Sequence, residues 1–462
     1  MIILIMLLGL SLRLISINQS LWLDEATSAL TTKMSLSNFF LEFTPGDFHP
    51  PLYYLVLRVW SMFFGTSEIA LRSLSVLFSI ATIYLVYLIG RELINKKAGI
   101  IASLLLATSG LHIYYSQEAR MYSMSAFLVT LLIYFFTKTF HKSRVGDWVG
   151  YGIVIGLIGI TDYLPLLILI PIWIFAVSLK KDFKWWKKFI MSHIILVILA
   201  ILWAPTFTKQ LTSGINITST SQAWVAVLGT FSIKDILLIP IKFAIGRVGF
   251  DNKFIYAGIV GLLFIIFGFL IYKSKNYFEK LKLTYLWLIV PILVALIISF
   301  KIPILNYFRF LFLLPAFYLL IASGIFSLKK SSRQIFLSLI ILINLTTSGI
   351  YLTNIKFQRE NWKGAVSYIE SNKVVNSAVI FPANSQMEVY RYYAPEATIN
   401  DSKEIKNNYS EIWLVRYAVA ISDPNDTTRL KVEGLGYKKA QELDFNGVVV
   451  WKYNKPIHEN SN

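Results

Sequence analysis

The sequence contains no cysteine, and its charged residues are few and biased toward one sign. The absence of cysteine excludes a disulfide framework and any site that needs a thiolate. Charged residues make up 15% of the 462 residues, with 26 Asp and Glu against 44 Lys and Arg. A hydrophobic fraction of 56% is grouped into runs near bilayer length. This composition excludes an ordinary soluble protein and predicts an α-helical multi-pass membrane protein.

Apolar segments suited to crossing a bilayer recur along the first three quarters of the chain. We predict about eleven transmembrane helices, at residues 1–17, 68–90, 99–114, 121–137, 148–161, 164–179, 189–204, 254–272, 284–299, 308–327 and 335–351. The first segment lacks the basic start and the small-residue cleavage site of a signal peptide. We therefore expect it to be a retained span.

The charges of the connecting loops predict the orientation in the cell membrane. With a cytoplasmic N-terminus, the inside loops hold 18 Lys and Arg residues against four acids, and the outside loops are longer. Cytoplasmic loops of membrane proteins are enriched in Lys and Arg, so this orientation is favoured. The net charge of +18 then reflects topology and gives no reason to expect a nucleic-acid partner. An odd number of spans places the C-terminal part outside.

Two outside loops and the C-terminal part are more than simple connections. Loop 18–67 contains a serine-capped apolar pattern at 35–43 and a second apolar run after Pro50 and Pro51. These two patterns predict two helices at the membrane surface. We expect the prolines to lie in the first turn of the second helix. Loop 205–253 is long enough to be a flap over a site. We predict a membrane domain over 1–352 and, from its alternating helix and strand patterns, a small extracytoplasmic α/β domain over 353–462.

Polar residues able to carry chemistry gather in the outside loops. A carboxylate beside the membrane can take a proton from an acceptor hydroxyl, as a general base must in group transfer, and Asp24 is our first choice. Arg120 and Arg309, at the mouths of spans, can hold a phosphate by paired, charge-assisted hydrogen bonds. A phosphate leaving group needs such a partner because negative charge develops on it as the bond breaks.

Four motifs in these loops, taken together, resemble a known family. They are WLDEA at 22–26, HPPLYY at 49–54, YYSQEARMY at 114–122 and FRFLFLLPAFYLLIASG at 308–324. Their order, spacing and common side resemble the GT-C superfamily of polyprenyl-phosphate-sugar-dependent glycosyltransferases. The likeness is greatest to glycosyltransferase family 39, which includes protein O-mannosyltransferases and the transferases that attach aminoarabinose to lipid A. It covers about residues 1–350.

The resemblance implies a sugar donor on dolichyl or undecaprenyl phosphate and transfer, with inversion, to a hydroxyl of a lipid, glycan or protein acceptor outside the membrane. It places Asp24 as the base and Glu25 beside it as a supporting or acceptor-binding acid. The remaining implied residues line the pocket or bind the donor phosphate: His49, Glu118, Arg120, Tyr122 and Arg309. We add three expected substrate contacts: Tyr53, Tyr54 and Asp162. No cofactor is required by the sequence, but some relatives bind a divalent metal, so a metal stays open.

Other interpretations of the same features remain. Many spans with outside charges also suit a transporter or flippase of lipid-linked sugars, and a catalytically silent envelope scaffold would bind donor without turnover. Asp24 and Glu25 suit the start of a helix, since acids favour its first turn. Glu118 and Arg120 suit an ion pair that closes a turn, and Arg309 suits an anchor at the membrane surface.

Overall fold

The structure, a computed structural model, describes residues 1–140, 143–220, 225, 229, 231–401, 405 and 408–455. Each of the eleven segments predicted to cross the membrane contains a helix. In chain order these helices are Ile2–Leu14, Glu68–Leu93, Lys96–Thr108 with Gly110–Ser116, Tyr122–Thr139, Val145–Gly159, Leu164–Ile168 with Leu169–Ser178, Ile194–Thr220, Lys253–Lys273, Phe278–Ile298, Tyr307–Leu313 with Leu314–Ser327, and Lys330–Thr353.

Length and composition separate these helices into two groups. Within the described ranges, six helical stretches are long and apolar enough to cross a membrane, or seven if the bent pair Lys96–Thr108 and Gly110–Ser116 forms one span. The pair is bent by 61° because Ser109 takes an extended ψ of 120° and interrupts the helix. One stretch, Lys253–Ile298, is divided by the 3-10 turn Ser274–Tyr277. The remaining apolar helices are shorter.

Large apolar side chains are exposed along the outer helices. Ile201 and Leu202 are 68% and 72% exposed, and Phe254 is 90% exposed. Helix Leu314–Ser327, in contrast, is buried almost throughout. Soluble proteins rarely expose continuous apolar surface of this kind, whereas lipid accommodates it. The outer surface therefore suits a membrane.

Loop 18–67 folds into helices that lie next to the membrane part. Helix Leu23–Thr31 carries Asp24 and Glu25 in its first turn, where acids interact favourably with the helix dipole. The predicted cap is present, since Ser35 Oγ accepts a hydrogen bond of 3.1 Å from Asn38 N. Three short turns follow, and the loop ends in a longer helix: Leu36–Asn38, Phe39–Phe43, Thr44–Gly46 and Leu52–Phe64.

The prolines of loop 18–67 lie just before the second helix and not, as the sequence predicted, in its first turn. Helix Leu52–Phe64 begins directly after Pro51, which is its N-cap and not part of its first turn. Pro51 keeps a helical backbone with φ of −79°, so its ring still directs the chain into the helix. The backbone N–H of Leu52 donates to Ile160 O at 2.9 Å, and this bond fixes the start of the helix against the turn after Val145–Gly159.

The C-terminal part contains a five-stranded sheet. Its strands are β1 (Ser377–Phe381), β2 (Ile399–Asp401), β3 (Glu411–Arg416), β4 (Lys438–Phe445) and β5 (Val448–Asn454), in the order β2-β1-β3-β5-β4. β2 and β3 run parallel to β1, whereas β5 is antiparallel to β3 and to β4. The accompanying helices are Trp362–Asn372, Asn384–Tyr393, Val419–Ser422 and Thr427–Gly434.

This C-terminal part packs directly on the helix that carries Asp24. Ala26 of that helix is buried among apolar residues of the C-terminal part, including Met387 and Tyr390. The backbone N–H of Leu21 donates to the Tyr393 hydroxyl at 2.7 Å. Helix Asn384–Tyr393 is thus one wall around loop 18–67.

Candidate active site

Asp24 and Arg120 face each other at the centre of the candidate site. The Asp24 side chain is 43% exposed, and its Oδ2 lies 3.8 Å from Arg120 Nη2. Arg120 follows helix Gly110–Ser116 and is buried. The Asp24 carboxylate is therefore open to solvent on one side and contacts a buried cation on the other, so a substrate group can reach it.

Tyr54 holds Arg120 in this position. Arg120 Nη1 donates to the Tyr54 hydroxyl at 2.9 Å, and the Tyr54 hydroxyl donates to Asp47 Oδ2 at 2.7 Å. Within the described residues, Arg120 Nε has no hydrogen-bond partner. Asp47, from the same loop, therefore joins Asp24, Tyr54 and Arg120 in one polar chain.

Glu25 is turned into the protein, in contrast to its neighbour Asp24. It is fully buried and accepts from Arg72 Nε and Nη2 at 2.8 and 2.6 Å. Its Oε1 also accepts from the backbone N–H of Ala119 at 2.8 Å. Burial alone would raise the pKa of Glu25, but the charges of Arg72 and Arg359 outweigh it and lower the pKa below its usual value. In this arrangement Glu25 holds the Arg72 guanidinium and the backbone at Ala119 in place.

Arg72 connects this carboxylate to the preceding chain. It lies near the start of helix Glu68–Leu93 and is buried. Besides Glu25, its guanidinium donates to the carbonyls of Ile17, Gln19 and Ser20 at 2.8, 2.5 and 2.9 Å. One side chain therefore fixes the segment between the first helix and the helix that carries Asp24.

Glu118 pairs with Arg359 and not with Arg120. Arg359 Nη2 donates to Glu118 Oε2 at 2.8 Å. Burial and the nearby charge of Glu25 raise the pKa of Glu118 even though Arg359 opposes this. The interpretation in which Glu118 and Arg120 close their turn by pairing with each other thus does not describe this structure.

His49 and Asp162, predicted separately, lie together. His49 Nδ1 is 3.8 Å from Asp162 Oδ1, and both side chains are largely buried. Gln210 Nε2 donates to the carbonyls of Thr44 and His49 at 2.7 and 3.3 Å, so helix Ile194–Thr220 holds the histidine segment from the other side.

Tyr53 and Tyr122 are buried close to these groups. The Tyr53 hydroxyl lies 3.4 Å from Ser75 Oγ. The Tyr122 ring packs against Phe308, with centroids 5.4 Å apart. Arg309 is half-buried beside this ring pair, with its guanidinium carbon 6.0 Å from the Phe308 ring centre. Its side chain has no hydrogen bond or ion pair to any described residue, so its donors are free.

Arg247 contacts Tyr114 beside the candidate site and was not predicted from the sequence. Its side chain is exposed, donates to the Tyr114 hydroxyl and lies with its guanidinium carbon 4.5 Å from the Tyr114 ring centre. Gly246 places it there with a φ of +65°, and a Cβ at Gly246 would lie 3.0 Å from the Gly110 carbonyl carbon. The sequence did offer one indication of Arg247. It lies in a predicted outside loop, whereas Lys and Arg are usually enriched in cytoplasmic loops.

The described residues do not present a metal-binding group. Among them, no set of three His, Asp or Glu side chains lies close enough together to hold an ion. His112 is buried at 2.8 Å from Arg13 Nη2 and belongs to a different part of the molecule from His49.

Comparisons with known proteins give a family match and a common fold. Residues 48–207 match the model of the dolichyl-phosphate-mannose-protein mannosyltransferase family. None of the curated proteins compared matches the chain. ArnT from Cupriavidus metallidurans in the apo state aligns with a TM-score of 0.61 at 13% identity, over 97% of each chain. The undecaprenyl-phosphate-bound form of ArnT aligns with a TM-score of 0.62 at 12% identity, again over 97% of each chain.

A second solved structure has the same architecture. The Archaeoglobus fulgidus oligosaccharyltransferase in complex with Zn and sulfate aligns with a TM-score of 0.55 at 13% identity, over 99% of this chain and 74% of that one. The prediction of an α-helical multi-pass membrane protein with the GT-C fold is confirmed, and the family match over residues 48–207 supports a glycosyltransferase. The chain has the GT-C fold, and its residues 48–207 match the dolichyl-phosphate-mannose-protein mannosyltransferase family.

Proposed function

We propose that this protein transfers a sugar from a polyprenyl phosphate to a hydroxyl acceptor on the extracytoplasmic side of the membrane. The observation that carries the proposal is the exposed carboxylate of Asp24, held 3.8 Å from buried Arg120. Solved proteins of this fold support the donor class, since one ArnT structure holds undecaprenyl phosphate and an archaeal oligosaccharyltransferase structure holds a dolichol-phosphate.

In the proposed reaction, Asp24 removes the proton from the acceptor hydroxyl as its oxygen attacks the anomeric carbon of the donor. The bond from that carbon to the phosphate oxygen breaks, and the electron pair leaves with polyprenyl phosphate. Attack opposite the leaving group inverts the anomeric centre. Arg120 orients the Asp24 carboxylate through its 3.8 Å contact.

The donor phosphate needs cations that are not already neutralised. No described residue forms a hydrogen bond or ion pair with the Arg309 side chain, and exposed Arg247 is engaged by a neutral tyrosine, Tyr114. We assign both to the phosphate, where they stabilise the charge that develops on the leaving group. His49 lies with Asp162 on the Pro50-Pro51 side and is assigned to the donor end of the pocket.

The proposed orientation follows the loop charges, with a cytoplasmic N-terminus and the site outside. Residues 1–352 then form the catalytic membrane domain, with loops 18–67 and 205–253 on its outer face. Residues 353–462 form an extracytoplasmic domain on the acceptor side, because helix Asn384–Tyr393 packs on the helix that carries Asp24. The acceptor is a lipid, glycan or protein hydroxyl.

A donor labelled separately in its sugar and its lipid phosphate tests the function. Purified protein in liposomes is incubated with this donor and with candidate acceptors. The proposal predicts that the sugar label enters a product while the lipid label becomes free polyprenyl phosphate. Movement of both labels together across the bilayer, without cleavage, would show a transporter instead.

Removal of the Arg309 charge should weaken donor binding. We expect Arg309→Met to raise the KM for the donor by about 10- to 150-fold, the effect of losing about 1.5–3 kcal/mol of charge-assisted hydrogen bonding. Arg247→Met should act in the same direction. The matched control is Lys301→Met, which removes an exposed cation of the loop before Arg309. If the donor KM is unchanged in both arginine variants, Arg309 and Arg247 do not bind the phosphate.

A further inference from the structure

Arg359 comes from the C-terminal part but is buried among the groups that support the site. It lies between the turn Ile355–Phe357 and helix Trp362–Asn372, and its side chain is 3% exposed. Its guanidinium bonds to Glu118 at 2.8 Å and lies 3.9 Å from Glu25 Oε2. A cation from the C-terminal part therefore contacts two buried carboxylates beside the proposed site.

The position of Arg359 is fixed from two sides. Its backbone N–H donates to Gln19 Oε1 at 2.9 Å, and its carbonyl accepts from Asn446 Nδ2 at 2.9 Å. Asn446 lies in the turn between β4 and β5. The guanidinium carbon also lies 4.3 Å from the Tyr114 ring centre. The C-terminal hairpin thus determines where this charge sits.

The charges of this cluster balance only when Arg359 is present. Two buried carboxylates, Glu25 and Glu118, face two buried guanidiniums, Arg72 and Arg359. Glu118 is two residues before Arg120, whose guanidinium contacts Asp24 and Tyr54. A buried carboxylate without its cation is strongly unfavourable, so Glu118 would compete for Arg120.

We propose that Arg359 is a positioning residue: by binding Glu118, it leaves Arg120 free to hold Asp24 and Tyr54 in the reactive arrangement. This inference rests on the proposed function. It makes the C-terminal part necessary for catalysis, because the hairpin that fixes Arg359 belongs to that part. Arg359 itself does not touch the reacting atoms.

Two variants and a control test this role. Arg359→Met leaves Glu118 unpaired, and we expect kcat per folded molecule to fall about 100-fold, as for a displacement of about 1 Å in a catalytic group. The double variant Glu118→Gln with Arg359→Met removes both charges, and kcat should recover to within about tenfold of the original protein. The control is Lys363→Met, at a residue of the same C-terminal part. This substitution removes the 3.0 Å ion pair from Lys363 to Glu68 and should not change kcat.

Rescue by the second substitution separates positioning from packing. If Arg359 only fills space against Tyr114, Glu118→Gln cannot restore kcat, so a double variant no faster than Arg359→Met overturns the inference. Full kcat in folded Arg359→Met overturns it as well, and so does a double variant that fails to fold. Absence of any sugar transfer by the unmodified protein would instead reject the proposed function.

Discussion

Asp24→Asn should lower sugar transfer by about 10²- to 10⁴-fold, the usual contribution of general base catalysis, while leaving the fold intact. Asparagine has almost the same shape as aspartate but cannot accept the proton. The Asp24 side chain is 43% exposed, so the substitution does not disturb buried packing. Arg120 loses the ion pair to Asp24 but retains its 2.9 Å bond to Tyr54. The loss should therefore appear in kcat, with donor binding retained.

The measurement compares kcat and donor affinity in the Asp24→Asn variant with those of a matched control. Asp251→Asn provides the control, because Asp251 is an exposed acid of loop 205–253, 89% exposed and paired with Lys356. We expect this control to transfer sugar at the original rate. Full activity of Asp24→Asn would exclude Asp24 as the base.

Arg72→Met should cause the largest loss of stability, about 3–5 kcal/mol, because it leaves a buried carboxylate without its main partner. Arg72 donates two hydrogen bonds to Glu25, at 2.8 and 2.6 Å. It also binds three backbone carbonyls just before the helix that carries Asp24. Denaturation of the purified protein in detergent, followed by tryptophan fluorescence, measures the loss. Arg91→Met, at the exposed far end of the same helix, should change stability little.

The pH dependence of stability shows whether Arg72→Met destabilises the protein through the unpaired charge of Glu25 or through lost packing. In the original protein the pKa of Glu25 is lowered, so its contribution is complete above the unfolded pKa of about 4.3 and is lost as the pH falls through the folded pKa. In Arg72→Met, burial dominates and the carboxyl takes up a proton more readily in the folded state. The difference in stability between the two proteins should therefore shrink on acidification. If the two proteins differ in stability by the same amount at pH 7 and at pH 4, the loss in Arg72→Met does not come from the unpaired Glu25 carboxylate.

The predictable parts of the fold have strong local signals. Apolar runs located the eleven helical segments of the membrane part because lipid requires both apolar side chains and internally bonded backbone. The C-terminal hairpin was predictable as well, since Asn446 and Gly447 form its turn with φ of +50° and +97°. Helix Asn384–Tyr393 was missed because its sequence is short and polar overall, and β2 because it has only three residues.

The candidate site was predictable only in part. Asp24 and Arg120 could be proposed from their loops, but the pairing of Arg72 with Glu25 and of Arg359 with Glu118 depends on chain segments that are far apart. Arg72 did carry a signal, because a charged residue within a predicted span needs a buried partner. Arg359 lies in a polar segment where an arginine is ordinary, and only the fold reveals its burial.

The most direct test of the central claim compares the two adjacent acids in a single-turnover experiment. Donor cleavage per folded molecule is measured for Asp24→Asn and Glu25→Gln after each has bound labelled donor and acceptor has been added. We expect the Asp24→Asn variant to be stable but unable to cleave the donor, and the Glu25→Gln variant to be less stable while its folded molecules still cleave it. Cleavage by Asp24→Asn together with a complete loss in folded Glu25→Gln would make Glu25, and not Asp24, the base.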